Sequence, residues 1–263
     1  MKKYIIDDFG FTGDYTDKIM AIKRCGFDGV FLNMRQNKMP LPVSIMTKKI
    51  DVVKKCGMDI VFIHLPVEPD YNIMWTKNYK DYVNVIVNYI KLFSSYGIKN
   101  FVMHSYYKNI PIQINDNIIK SFSDIKSLTK NCNVNIYIEN VDYYFQDEYV
   151  FENLKNDYMI CYDIGHENAF YTDEQKDYLT NNFSFNIKML HLHDNNGKTD
   201  EHKIPFSDGC NVDFYKLKKI SSIKDIPLTL ECKMEKTDDI TLAEDFLKKA
   251  FLSAEKIEKI ING

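Results

Sequence analysis

The stretch KKCGMDIVFIHL (54–65) carries the pattern on which the fold rests. A segment ends on Cys56, Gly57 follows, then Met58, a one-residue spacer, and an apolar run that stops at His64. In physical terms this is a helix end, a glycine at the left-handed C′ position, the hydrophobic contact just after it, and a short buried strand. KRCGFDGVFLNM (23–34) and SSYGIKNFVMHS (94–105) repeat the layout, with Gly26 and Gly97 at C′ and Phe27 and Ile98 at the contact position. Three such units in succession imply parallel strands joined by crossover helices. Extending the pattern gives eight strands, near 3–7, 29–34, 59–65, 100–104, 134–139, 158–163, 187–193 and 227–232. Helical periodicity fills the gaps, as in 82–96 and 240–261. Eight alternations in 263 residues predict an α/β chain folded as one (β/α)8 barrel domain over 1–263. A doubly wound open sheet is the alternative. DDFGFTGD, after the first strand, is neither a dinucleotide fingerprint nor a phosphate loop, which argues against its nucleotide-binding versions.

Six of the predicted strands run apolar and then stop on a chemistry-bearing residue: His64, His104, Glu139, Asp163, His191 and Glu231. The C-terminal strand ends of a parallel barrel share one face, where α/β proteins place ligands and chemistry. Any one of these residues alone reads as a cap or an ion-pair member. Together they conflict, because two carboxylates ~4 Å apart repel by roughly 4 kcal/mol at an effective dielectric near 20. Burial adds several kcal/mol for each unpaired ion. The chain has only two arginines, Arg24 and Arg35, so a bound dication is the simpler compensation and a metalloenzyme is expected. His166 stands three residues after Asp163, and Asp200 and His202 are two apart in HLHDNNGKTDEH (191–202). In an extended segment such a pair points to one side, and with His166 it forms a second N/O-rich candidate site. His191 and His193 alternate on one strand, and one of them is expected to face the centre.

Hydrophobic content of 45%, 14% aromatics and a net charge of −3 describe a globular protein with no electrostatic case for nucleic acid or anionic membranes. The six cysteines (25, 56, 132, 161, 210, 232) are widely spaced without a CxxC pair, as reduced packed thiols are. MKKYIIDDFGF carries no secretory pattern, and no apolar run approaches the ~20 residues of a membrane span. A soluble cytoplasmic protein is expected, and a homo-oligomer is compatible with this composition.

In order along the chain, Glu-Asn after strand 5 (IYIENV), D-x-x-H after strand 6 (DIGH), H-x-x-D on strand 7 (HLHD), D-x-H before DEHKIPFSDGCNVDF, and a Glu ending strand 8 (LTLEC) resemble the xylose isomerase-like TIM barrels. That superfamily holds sugar and sugar-phosphate isomerases and epimerases, and also endonuclease IV. The resemblance implies a four-ligand metal site at Glu139, Asp163, His191 and Glu231. It also matches His64, His104, His166, Asp200 and His202 to the extra ligands of the endonuclease IV trinuclear zinc cluster. One to three divalent ions follow, with Mn²⁺, Mg²⁺ or Co²⁺ suited to the oxygen-rich set and Zn²⁺ if the extra histidines join. The branch features lean away from the nuclease. NNGKT stands where endonuclease IV has a longer Arg- and Gly-rich stretch, DIGH replaces a D-T-C-H-like strand 6, and few arginines are present to grip a phosphate backbone.

The expected activity is a divalent-metal-dependent sugar or sugar-phosphate isomerase or epimerase working through an enediolate. Glu139 and Glu231 would pass the proton, and His166 would orient a substrate hydroxyl or hold a second metal. An endonuclease IV-like phosphodiesterase is the second reading and a non-catalytic sugar-binding barrel the third. Candidate substrate contacts are His64, Trp75, Tyr106, Lys198 and Phe206, within loops also rich in Tyr71, Tyr107, Tyr143, Tyr144, Phe145, Phe170 and Tyr171. Phosphate-handle candidates are Arg35, Lys198, Lys203 and Lys233; each alone reads as a solvated surface charge.

Overall fold

Eight parallel strands form one sheet in a computed structural model that describes residues 1–36, 39–66, 73–106, 113–142 and 144–263. For 35, 36, 39 and 40 only the backbone is described. Tyr71, Tyr107, Tyr143 and the side chain of Arg35 therefore lie outside the described residues. The strands are β1 (Lys3–Ile6), β2 (Gly29–Asn33), β3 (Asp59–His64), β4 (Asn100–His104), β5 (Asn135–Glu139), β6 (Met159–Asp163), β7 (Ile187–His191) and β8 (Leu228–Leu230). They run in the order β8-β1-β2-β3-β4-β5-β6-β7. The sheet closes just past β7, where Leu192 bridges Leu230: Leu192 N–H donates to Thr229 O at 2.9 Å, and Glu231 N–H donates to Leu192 O at 3.0 Å. This is the expected (β/α)8 barrel.

The helices are α1 (Tyr15–Arg24), α2 (Val43–Lys55), α3 (Tyr79–Ser95), α4 (Asn117–Thr129), α5 (Tyr144–Leu154), α6 (Ile164–Phe170), α7 (Tyr178–Asn182) and α8 (Ile240–Asn262). The repeated turn has the geometry its sequence calls for. After α2, Gly57 N–H donates to Lys54 O and Met58 N–H to Val53 O, with Gly57 at φ +65; after α3, Gly97 and Ile98 repeat both bonds onto Ser94 and Phe93. These are Schellman caps, and Phe27, Met58 and Ile98 are all buried. The seventh unit departs from the helical expectation. Between β7 and β8 the described chain makes two 3-10 turns, Phe214–Lys219 and Ile223–Asp225, because extended Ile220 and left-handed Ser222 (φ +58) interrupt the helix.

Register places the chemistry. His104 pairs with Glu139 across β4 and β5, Asp163 with His191 across β6 and β7, and His64 with Asn33 across β2 and β3. Beneath them the barrel is plugged by Phe31 and Phe62, stacked at 4.6 Å between centroids and lying 5.3 and 5.4 Å from the His191 ring. Both phenylalanines are fully buried, so they form the floor that holds His191. Phe31→Ala is expected to cost about 3–5 kcal/mol in denaturant unfolding and to loosen that ring.

Candidate metal centre

Glu139 is the hub. Its Oε2 lies 2.9 Å from His64 Nε2 and 3.1 Å from His104 Nε2, and its Oε1 lies 2.9 Å from His191 Nδ1. The same His191 nitrogen is 3.0 Å from Glu231 Oε2 and 3.8 Å from Asp163 Oδ2. One nitrogen carries at most one proton, yet three buried carboxylates face it. Asp163 Oδ2 is buried with no hydrogen-bond partner among the described residues. Ligand atoms of Glu139, Asp163, His191 and Glu231 all fall within 4.8 Å of one another, as do those of His64, Glu139 and His191. This donor set fits a divalent cation.

A second constellation adjoins the first. His166, His193, Asp200 and His202 bring one ligand atom each within 4.8 Å. Three histidines around the two groups share one device. His64 Nδ1 donates to Leu65 O at 2.8 Å, His166 Nδ1 to Asn140 O at 2.9 Å and His202 Nδ1 to Glu231 O at 2.8 Å. A ring whose Nδ1–H is committed to a carbonyl presents, when neutral, a bare Nε2 lone pair. Those Nε2 atoms face carboxylates: His64 toward Glu139, and His166 and His202 toward Asp200 Oδ2 at 3.6 and 3.3 Å. Lone pair against carboxylate is repulsive unless a proton or a metal lies between, and a carbonyl-anchored imidazole is the usual support of a metal ligand.

The surrounding sequence builds these positions. Asp163 caps α6 by accepting from His166 N–H at 2.8 Å. Asn140 exchanges two bonds with the Asp163 backbone at 2.8 and 2.9 Å, tying the ends of β5 and β6. Asp194 accepts from Asn195, Phe206 and Val212 backbone N–H groups, which folds the loop that delivers Asp200 and His202. The D-x-H segment is not extended, as expected from sequence, but turns at His202 (φ +50), clamped by its ring bond and by Lys233 N–H on His202 O at 2.8 Å.

Burial opposes charge throughout, yet partners win at most positions. It would raise Glu139 and Glu231, but His191, with His104 for Glu139 and His202 for Glu231, holds both carboxyls well below the usual range. Burial would lower His166 and His191; Asp163 and Asp200 around the first, and Cys161, Glu139 and Glu231 around the second, hold both well above the ordinary imidazole value. His104 and His202 go the other way, lowered chiefly by burial. Without a cation the cluster compensates itself with protons, which bound metal would displace.

A cavity of about 640 Å³ opens over the site, lined by His64, His104, Glu139, His166, Asp200, His202 and Glu231, with Val141 and Phe170 on its wall. Four of the five substrate candidates do not line it. Trp75 is buried and donates from Nε1 to Ser105 O at 2.7 Å. Tyr106 is fully buried beside Asp147, Phe206 packs on Phe214 under Lys256, and Lys198 is exposed on its loop. The three rings pack within the protein, the commoner fate of loop aromatics. His64 alone of the five faces the cavity. Of the phosphate-handle candidates, Lys203 pairs with Glu201 at 2.8 Å, while Lys233 lines the cavity.

Sequence reading missed His193. Residues two apart on a strand share a face, so His191 and His193 both point inward, and His193 Nε2 sits 3.2 Å from Asp163 Oδ1. Also missed was Asp147, buried behind the site, which accepts from Val141 N–H at 2.8 Å and the Tyr171 hydroxyl at 2.7 Å. Burial pushes its carboxyl up to about 8, against the two hydrogen bonds that favour the anion. The folded state thus holds this proton more tightly than the unfolded chain, whose value is about 4. Its stabilisation is complete below about pH 4 and is lost as pH rises to about 8. Asp147→Asn keeps an acceptor for both donors and is expected to gain at least about 1 kcal/mol over wild type between pH 5 and pH 8 in urea unfolding.

The model of the xylose isomerase-like TIM barrel family matches residues 19–250. The chain belongs to that family. Among solved structures of this barrel type, D-psicose 3-epimerase from Clostridium cellulolyticum H10 superposes with a TM-score of 0.74 at 12% identity over 99% of both chains. A D-tagatose 3-epimerase-like protein gives 0.70 at 22% identity over 98% of this chain and 100% of its own. The 3-keto-D-glucoside 4-epimerase of E. coli gives 0.70 at 14% identity, covering 98% and 100%. At these identities the likeness is one of fold. An uncharacterised protein of Methanocaldococcus jannaschii is 34% identical over 142 residues, 51% of this chain and 53% of that relative, so the chain spans about half that protein's length.

Proposed function

We propose that this protein is a divalent-metal-dependent sugar isomerase or epimerase that moves a proton on and off carbon at the C-terminal mouth of its barrel. The observation that carries the reading is the pair Glu139 and Glu231, both within about 3 Å of His191 Nδ1 and both lining the same cavity. Glu139, Asp163, His191 and Glu231 would hold the ion, which supplies charge stabilisation to substrate oxygens when bound. The two glutamates, kept ionised by neighbouring imidazoles, can each take a proton from a carbon beside a carbonyl and return it. His166, fixed by Asn140 O and facing the cavity, orients a substrate hydroxyl or serves the second constellation. Fold relatives named as ketose 3-epimerases and a keto-glucoside 4-epimerase support this class of reaction.

The full set of His64, His104, His166, Asp200 and His202 beside the four-ligand group favours one alternative, a metal-dependent phosphodiesterase acting at abasic DNA. Against it, one of the two arginines, Arg24, is paired to Glu244 away from the cavity. The test is a panel of ketoses and ketose phosphates, followed by chromatography for new epimers or aldoses, run beside cleavage of an abasic duplex. Turnover of a sugar without DNA cleavage is the expected result. Efficient abasic-site cleavage with no sugar turned over would promote the phosphodiesterase.

A further inference from the structure

The cavity is lined by lysines as well as by the metal-site residues. The loop after β1 and the loop after β8 are zipped side by side by main-chain bonds: Met234 N–H to Phe9 O at 2.8 Å, Thr12 N–H to Thr237 O at 2.8 Å, and Thr237 N–H to Gly10 O at 3.1 Å. That zipper brings Lys233 and Lys236 to the same cavity wall as Lys18 of α1 and Lys49 of α2. Asp7 and Asp8 are the carboxylates beside them. Asp7 is spent on Lys49, at 2.7 Å, and on the Tyr15 hydroxyl at 3.0 Å. Asp8 makes no ion pair among the described residues. The four ammonium groups face Asp7 and Asp8, and Lys233 also faces Glu231, so lysines outnumber carboxylates here by one, in a chain whose net charge is −3.

Lys18 is the decisive residue. It is only 8% exposed, on the buried face of α1 beside Ile19, Ala21 and Ile22. Its ammonium has no hydrogen bond or ion pair among the described residues, only the Phe9 and Tyr15 rings at 5.8 and 5.7 Å. A buried ammonium without an ion-pair partner in contact is costly even with Asp7 and Asp8 nearby, and a leucine would serve packing better. A neutral sugar needs no such cluster.

We infer that Lys18, with Lys233 and Lys236, binds an anionic substituent of the substrate, a phosphate or a carboxylate, in the cavity that Glu139 and Glu231 also line. Lys49, held by Asp7, positions rather than binds. This rests on the sugar-enzyme reading above and names its substrate class. The cavity, at about 640 Å³, has room for a monosaccharide carrying such a group.

Two measurements test it on the metal-loaded full chain. In calorimetry at matched ionic strength, inorganic phosphate should bind wild type, and about tenfold or more weaker to Lys18→Met and to Lys233→Met with metal content unchanged. In kinetics, D-tagatose, its 1- and 6-phosphates and D-tagaturonate are compared. The anionic members should show a KM about tenfold or more below the free ketose, and both variants should erase that gap by raising the KM of the anionic members far more than that of the free ketose. The phosphate and uronate arms show which anion is preferred. Absent phosphate binding, or equal damage to free and anionic ketoses, overturns the inference. If no sugar turns over, the sugar-enzyme reading fails while the phosphate titration still decides the subsite. If Lys18→Met fails to fold, Lys233→Met, at an exposed position, decides alone.

Discussion

Glu139→Gln is expected to weaken metal binding by at least about a hundredfold, beyond the effect of losing an outer-shell partner. Proton exchange at substrate carbon should slow by about a thousandfold or more. The substitution keeps size and removes one charge from the residue that meets His64, His104 and His191 at once. Added Mn²⁺ or Zn²⁺ should raise the thermal midpoint of wild type and leave the variant's nearly unmoved, because only ligation to the folded state shifts that equilibrium. A variant that keeps full metal content and a wild-type midpoint shift would remove Glu139 from the ligand set.

The second large effect comes from a residue with no chemistry of its own. A Cβ at Gly165 would stand 2.1 Å from Cε1 and 2.4 Å from Nε2 of His193. The His193 ring is fully buried and has nowhere to retreat, so α6 must move, carrying His166 one residue further on. Asp163, which caps that helix, moves with it. Gly165→Ala is therefore expected to lose about 1–3 kcal/mol of stability. Displacement of the site by an ångström should cost about a hundredfold in turnover. Elemental analysis should show fewer ions per chain than wild type. Unchanged metal stoichiometry and turnover would mean that the His193 ring does not stand against Gly165.

Much of this site was legible because barrel strands are short and fully buried. In runs such as IVFI and LTL a polar residue can only mark the strand's end, and parallel strands put all those ends on one face. The glycine caps were equally legible, since Gly57 and Gly97 occupy a backbone region that residues with a Cβ avoid. His193 was missed, although the period of two places it on the same face as His191. KYIIDD at the start has the same apolar-then-polar layout as the other six strand ends, and Asp7 anchors Lys49 and Tyr15 there. What sequence could not supply is the direction of long loop side chains. Trp75 and Tyr106 turn into the core, whereas Lys18, on the buried face of α1, turns to the cavity. Nothing in local pattern separates these outcomes, because they depend on which loops meet across the barrel mouth.

Metal-dependent proton transfer at Glu139 and Glu231 is tested most directly by deuterium wash-in. Purified protein is incubated with a turned-over ketose in D₂O, stripped with chelator, and then reloaded with Mn²⁺ or Co²⁺, with carbon-bound deuterium read by mass spectrometry at each stage. The prediction is incorporation that disappears on stripping, returns on reloading, and is absent in Glu231→Gln. Incorporation that survives stripping, or product formed with no deuterium at any carbon, would contradict it.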